Sequence, residues 1–126
     1  AIFLGFLFAL PWRVMNTTEI GKIGEELALH HYTNQGYRLL EKNLRYKRGE
    51  IDLILCKGRA LLFVEVKYRS SQWQMAADQN HWGRKMGRLR RSISLYIEGE
   101  GRFYEEYRVE VAIVTQGRVV ETYQVN

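Results

Sequence analysis

Two neighbouring segments of the chain are rich in aliphatic and β-branched residues and are separated by a short break. They run from Glu50 to Lys57 and from Ala60 to Tyr68, and the break is Gly58-Arg59. This pattern predicts a β-hairpin, because glycine readily supplies the positive φ that a type II′ turn needs at its first central position. Lys57 then pairs with Ala60, and the register follows by counting back along both strands.

The predicted register brings four charged residues together. It places Asp52 opposite Glu65, and Glu50 opposite Lys67. Side chains alternate along a strand, so these four share one face. The opposite face holds Ile51, Leu53, Val64 and Val66. A salt-bridge ladder accounts for Glu50 with Lys67, but Asp52 and Glu65 repel one another. Two carboxylates with Cβ atoms roughly 5 Å apart can instead share a hard divalent cation, beside a lysine that stabilises negative charge.

The remaining elements follow from periodicity and capping signals. A first helix begins with Thr17 or Thr18 as the N-cap and stops at Gly36. A polar loop over residues 70–80 precedes a second helix from His81 to Glu98. The inward stripe of the second helix comprises Trp82, Met86, Leu89, Ile93 and Ile97. Further strands are predicted at Arg38–Tyr46, Tyr107–Thr115 and Val119–Val125. The order α-β-β-β-α-β-β predicts an α/β fold in which helices flank a mixed central sheet.

Length and cysteine content limit the organisation of the chain. The 126 residues suffice for one domain, predicted over residues 16–126. Residues 1–15 are predicted to form an N-terminal extension outside it. The apolar run from Ala1 to Leu10 is too short to span a bilayer. A membrane anchor is therefore disfavoured. The single cysteine, Cys56, excludes an internal disulfide, is predicted to pack in the core and favours a cytoplasmic location.

Positive charge points to a polyanionic partner. The formal net charge is +5 and the isoelectric point is near 9.5. Basic residues on one face of the second helix are predicted to contact phosphate groups of such a partner, and Arg69 is assigned to the same set. The helical members are Arg84, Lys85, Arg88 and Arg91. No small-molecule cofactor is expected, and a homodimer is left open.

Two motifs carry a family resemblance. They are Gly-Glu-Ile-Asp-Leu-Ile, from Gly49 to Ile54, and Phe-Val-Glu-Val-Lys-Tyr-Arg, from Phe63 to Arg69. The Asp…Glu-X-Lys spacing resembles the core of PD-(D/E)XK nucleases, and the surrounding residues resemble the YraN-like family of bacterial proteins within that superfamily. The resemblance covers about Gly21 to Val114. It implies a restriction-endonuclease-like fold, Mg²⁺ or Mn²⁺ as cofactor, and metal-dependent hydrolysis of DNA.

The resemblance also implies roles for individual residues. Asp52 and Glu65 hold the metal, Glu25 in the pair Gly24-Glu25 assists, and Lys67 orients or activates water. Lys85 matches a lysine that the family carries on its second helix. The family has Arg-Phe-Asp where this chain has Arg108-Val109-Glu110. This departure leaves Glu110 as a candidate supporting residue behind the metal ligands.

Three functions remain distinguishable. Superfamily members with a glutamate on the first helix include Holliday-junction resolvases, which implies an endonuclease acting on branched DNA or repair intermediates. The alternative is a non-catalytic DNA-binding module within a repair or uptake complex, and the intact set of Asp52, Glu65 and Lys67 favours catalysis over it. A membrane-tethered interaction protein rests only on Ala1 to Leu10.

Overall fold

A computed structural model describes residues 16–69, 79–115 and 118–125. Helix α1 spans Thr17–Thr33 and helix α2 spans Gln79–Glu98. The strands are β1 (Arg38–Tyr46), β2 (Gly49–Lys57), β3 (Ala60–Tyr68), β4 (Glu106–Thr115) and β5 (Arg118–Val125). The described strands form one five-stranded sheet in the order β1-β2-β3-β4-β5. Only β3 and β4 pair in parallel. The predicted α/β fold with a mixed sheet is confirmed.

Element boundaries lie within two residues of the predictions, with one error at a cap. Asn16, and neither threonine, caps α1, and its side-chain oxygen accepts a hydrogen bond from the backbone N–H of Glu19 at 2.8 Å. The stop is as predicted, since Gly36 has φ 95° and the Tyr37 N–H bonds back to the Tyr32 carbonyl. Residues 1–15, 70–78, 116–117 and 126 lie outside the described residues, and with them the predicted N-terminal extension and most of the predicted polar loop.

The sheet is covered by one helix on each face. The α2 side contains a buried cluster that includes Phe63, Leu89 and Ile93, and Cys56 packs there as predicted. Two smaller clusters contain Ala28, Tyr32, Val64, Ile23, Leu27 and Val114 and lie on the α1 side. None of the described helices is long and apolar enough to cross a membrane.

The β2–β3 register is confirmed close to the turn and changes towards the start of β2. Pairing runs from Lys57–Ala60 to Leu53–Val64, and Gly58 has φ 60°. From Leu53 towards the start of β2, the prediction that Ile51 and Leu53 share one face of the sheet is wrong. Leu53 packs on the α1 side, whereas Ile51 joins the cluster under α2.

The cause of this change is an irregularity shared by β1 and β2. Asn43 and Asp52 lie between the pairs Lys42–Leu53 and Leu44–Ile51, and Asn43 has φ 53°. Lys42 bonds to Glu26 of α1, but Leu44 packs on the α2 side. Both strands therefore exchange faces at this one point. Strict alternation, on which the predicted four-residue charged face depended, does not hold here.

One consequence is a change of ion-pair partners. Glu50 was expected opposite Lys67, but it pairs with Arg45 of β1 at 3.7 Å. Lys67 instead lies beside Glu65 on its own strand. The alternative of a salt-bridge ladder across the β2–β3 hairpin therefore loses its Glu50–Lys67 pair.

Candidate active site

A cleft of about 530 Å³ opens near the beginning of β2. Helix α1 and helix α2 both contribute to its walls, together with residues from strands β1 to β3. Its charged lining residues are Glu25, Arg45, Glu50, Asp52, Glu65, Lys85 and Arg88. The cleft thus brings together the three carboxylates that the resemblance assigns to a metal.

Gly49 allows β2 to approach α2 closely at this cleft. A Cβ atom on Gly49 would lie 2.3 Å from Ser92 Oγ and 3.0 Å from the carbonyl oxygen of Arg88. Such distances are below van der Waals contact, so only glycine fits without movement of the helix. Gly24 packs more loosely against Val66, and a Cβ on Gly21 would meet nothing within 4 Å. A Cβ atom would therefore fit at both of these α1 positions.

Asp52 is held by the backbone of the neighbouring strand. The N–H of Val66 donates to Asp52 Oδ2 at 2.8 Å, at a point beyond the last recorded β2–β3 residue pair, Leu53–Val64. Burial, followed by the negative charge of Glu65, raises the pKa of Asp52 to about 8, although the Val66 bond opposes the shift. The two carboxylates thus interact electrostatically, as the sequence predicted.

Glu65 is almost fully buried and is contacted by two lysines. Its side chain is 4% exposed, and Oε1 lies 2.8 Å from Lys85 Nζ and 3.8 Å from Lys67 Nζ. Lys85 was predicted to contact DNA, but the structure brings it to a carboxylate of the site. Two ammonium groups on one oxygen provide the positive charge that a buried carboxylate requires.

The two lysines differ in their ionisation. Burial, and then contact with Lys85, lowers the pKa of Lys67 to about 8. Burial also opposes the charged form of Lys85, but Glu65 and further contacts outweigh it and raise its pKa. Lys85 therefore carries the lasting positive charge, while Lys67 exchanges a proton near neutral pH.

Glu25 reaches the cleft from α1 and is oriented by Asn43. The Asn43 Nδ2 group donates to Glu25 Oε1 at 3.1 Å. Burial raises the pKa of Glu25, and the Asn43 bond partly opposes this. Among residues 16–69, 79–115 and 118–125, no group of three or more His, Cys, Asp or Glu side chains is arranged so that it could hold a metal ion. The interacting pair of the site is Asp52 with Glu65.

The predicted DNA-binding residues separate into two groups. Arg88 lines the cleft, and Arg69 lies close enough to Lys67 for its charge to lower the pKa of that lysine. Arg84 and Arg91 are exposed on α2. Arg45 adds a cation on the β1 side of the cleft, where it pairs with Glu50.

Glu110 lies with a different group of residues. It accepts a hydrogen bond from the Tyr32 hydroxyl at 2.9 Å and pairs with Arg108 at 3.6 Å. Tyr32 belongs to the last turns of α1, whereas Glu25 of the cleft lies two turns earlier. The structure therefore connects Glu110 to the packing of α1 on β4. No hydrogen bond or ion pair among the described residues joins Glu110 to Asp52, Glu65 or Glu25, as its suggested role behind the metal ligands would require.

The orienting role of Asn43 was missed by sequence reasoning. A usable signal was present, since asparagine adopts the left-handed region more readily than other non-glycine residues and is rare within strands. An asparagine in the middle of the strand-like segment Arg38–Tyr46 therefore marked an irregularity. Its partner on α1 was not visible from the sequence, because that contact depends on how the helix lies on the sheet.

Comparison with known proteins assigns the chain to a family. Residues 24–114 match the model of "Uncharacterised protein family UPF0102". A UPF0102 protein of Alkaliphilus metalliredigens is 39% identical over 108 residues, which cover 85% of this chain and 94% of the relative. A UPF0102 protein of Mycobacterium avium is 37% identical over 106 residues, covering 82% and 83% of the two chains. The chain therefore belongs to the UPF0102 family, the YraN-like group that its motifs resemble.

Proposed function

We propose that this protein is a metal-dependent nuclease of the PD-(D/E)XK type that hydrolyses phosphodiester bonds in DNA. The observation that carries the proposal is a carboxylate pair that lines the cleft, half-buried Asp52 and almost fully buried Glu65, with Lys67 beside Glu65. Keeping two interacting carboxylates out of water is costly, and such an arrangement is typical of a functional site. A cytoplasmic location is part of the same proposal.

The donor chemistry of the carboxylate pair suits a divalent cation. Carboxylate oxygens are the donors that Mg²⁺ and Mn²⁺ prefer, and Asp52 and Glu65 present them together. The negative charge of Glu65 disfavours ionisation of Asp52, and a nearby cation would remove that cost. Glu25 lines the same cleft and offers a third carboxylate. When bound, the metal supplies Lewis acidity towards a phosphate oxygen and lowers the pKa of water.

Lys67 is suited to handling a proton near the scissile phosphate. Because its pKa is lowered to about 8, a neutral amine and a charged ammonium are both accessible near physiological pH. The neutral amine can accept a proton from an attacking water, and the ammonium can stabilise the charge that develops on phosphorus-bound oxygens. Lys85 keeps positive charge on the other side of Glu65.

The arginines near the cleft are suited to the DNA backbone. Arg45 and Arg88 line the cleft, and Arg69 lies beside Lys67. Guanidinium groups bind phosphate through paired hydrogen bonds, and such contacts position the backbone without reading sequence. A phosphate held between Arg45 and Arg88 would lie next to the carboxylate pair.

A binding module without catalysis is the competing function. The exposed arginines Arg84 and Arg91 would serve either function equally. The lowered pKa of Lys67 favours catalysis, because phosphate binding alone gains nothing from a lysine that is easily deprotonated. The two functions are separated by measuring binding and cleavage in the same samples.

The test is a cleavage assay on linear, nicked, flapped and four-way DNA in Mg²⁺, in Mn²⁺ and in chelator. We expect cleavage of at least one substrate in metal, none in chelator, and loss of cleavage with retained DNA binding in Asp52→Asn. Asn keeps an oxygen for the Val66 N–H, so this variant avoids the orphaned backbone donor that Asp52→Ala would create. DNA binding without cleavage of any substrate by the wild type would favour the binding module.

A further inference from the structure

Asn43 combines an unusual backbone with a directed side chain. Its φ of 53° is the sole positive value at a non-glycine residue in the described part of the chain. Its amide nitrogen donates to Glu25 Oε1 at 3.1 Å across the gap between β1 and α1. A left-handed conformation strains a non-glycine residue, although asparagine adopts it more readily than most.

The contribution of Asn43 to the stability of the fold does not account for this strained backbone. Asn43 is exposed, and a hydrogen bond that competes with water contributes little to folding. Glycine would adopt the same backbone more readily, because it has no Cβ. The side chain of asparagine therefore requires a separate explanation, and among the described residues its hydrogen bond is to Glu25.

The position of Asn43 supplies that explanation. It lies at the point where β1 and β2 exchange faces, between the pairs Lys42–Leu53 and Leu44–Ile51, with Asp52 at the corresponding point of β2. One irregularity thus frees Asp52 for its bond to Val66 and turns the Asn43 amide towards α1.

We propose that Asn43 is a positioning residue that holds the Glu25 carboxylate in the cleft that Asp52 and Glu65 also line, so that α1 adds a negative charge beside the cation site. This rests on the proposed function in so far as the cation is concerned. The contact itself can be examined in the metal-free protein. Lys42 provides the comparison on the same strand, since it holds the adjacent Glu26 without facing the cleft.

The metal-free test uses the side-chain amide signals of Asn43 in ¹⁵N–¹H spectra. We expect Glu25→Ala to shift both signals towards those of a free asparagine amide, because it removes the acceptor. Glu26→Ala should leave them in place, since that carboxylate bonds to Lys42. Unchanged signals in Glu25→Ala would overturn the inference, whatever the protein does with metal.

The metal test compares Asn43→Gly with Asn43→Ala. Glycine keeps the left-handed backbone and removes the amide, so Asn43→Gly should melt within a few degrees of the wild type in chelator and need several-fold more Mg²⁺ to reach half of its metal-induced rise in Tm. Asn43→Ala should show the same metal defect and also a lower melt in chelator. A wild-type Mg²⁺ midpoint in Asn43→Gly would refute positioning. Absence of any Mg²⁺ response in the wild type would reject the proposed function instead, and the amide spectra would still decide whether Asn43 holds Glu25.

Discussion

The strongest physical consequence of the site is that ionising Asp52 should destabilise the metal-free protein. In the unfolded chain the carboxyl loses its proton around its ordinary pKa of 3.8, but in the folded protein it keeps the proton up to about 8. A raised folded pKa means that the unfolded state releases protons first as the pH rises. Stability is therefore lost progressively between about pH 4 and pH 8.

The magnitude follows from these two values. Between pH 5 and pH 7 the Asp52 term lowers the free energy of unfolding by about 2–3 kcal/mol. For a chain of this size that corresponds to a Tm lower by roughly 10 °C. Asp52→Asn cannot ionise and retains an acceptor for Val66. In chelator, the Tm of the variant minus the Tm of the wild type should therefore rise by roughly 10 °C from pH 5 to pH 7.

The assay is a series of thermal melts in chelator, with Glu50→Gln as the matched control. Glu50 lies two residues away on the same strand, but its side chain is 39% exposed and paired with Arg45. Its variant should follow the pH dependence of the wild type. If Asp52→Asn instead lowers the melt by a similar amount at every pH, Asp52 is a partner in a structural ion pair and the reasoning fails. In Mn²⁺ the order should reverse, since a ligand at a hundred times its Kd adds about 2.7 kcal/mol to the folded state.

Three further predictions use the same purified protein. Lys85→Met removes the ammonium group that lies 2.8 Å from the Glu65 carboxylate, and it should lower the free energy of unfolding in chelator by about 1–2 kcal/mol. The loss should be smaller in Mn²⁺. An equal loss in both buffers would contradict this prediction. Gly49→Ala should destabilise the protein by about 1–3 kcal/mol through overpacking. Gly87→Ala, with open space around its Cβ, should instead stabilise α2 by up to about 1 kcal/mol. Tm values of the two variants that shift in the same direction would contradict this prediction. Arg88→Ala should weaken DNA binding and reduce the slope of log affinity against log salt by about 0.9, while Arg91→Ala, away from the cleft, should do so less. Equal slopes for the two variants would show that the cleft is not part of the DNA-binding surface.

The sequence predicted the elements well because local patterns determine them. Strong aliphatic runs and a glycine turn were enough for the β2–β3 hairpin, and the register holds from Lys57–Ala60 to Leu53–Val64. The second helix was recognised from its apolar stripe, and Met86, Leu89 and Ile93 are buried as expected. These features depend on residues close in sequence, where spacing alone carries the information.

The sequence predicted which residues lie at the site, but it did not predict which of them contact one another. Strict alternation failed at Asp52, because one left-handed residue on the neighbouring strand made both strands exchange faces. Lys85 was assigned to DNA, since no pattern in the sequence shows that its helix lies over Glu65. Contacts between distant segments depend on packing, and a few degrees of backbone rotation decide them.

The central claim is that Asp52 and Glu65 form a metal-dependent phosphodiesterase site, and single-turnover cleavage of DNA by a matched pair of variants tests it most directly. Glu65→Gln removes a charge from the cleft, and Glu110→Gln removes one from the sheet at the Tyr32 contact. With Mn²⁺ in excess, the account predicts a loss of about a thousandfold or more in rate for Glu65→Gln, equivalent to about 4 kcal/mol, and a rate near that of the wild type for Glu110→Gln. Cleavage by Glu65→Gln at the wild-type rate would contradict the account.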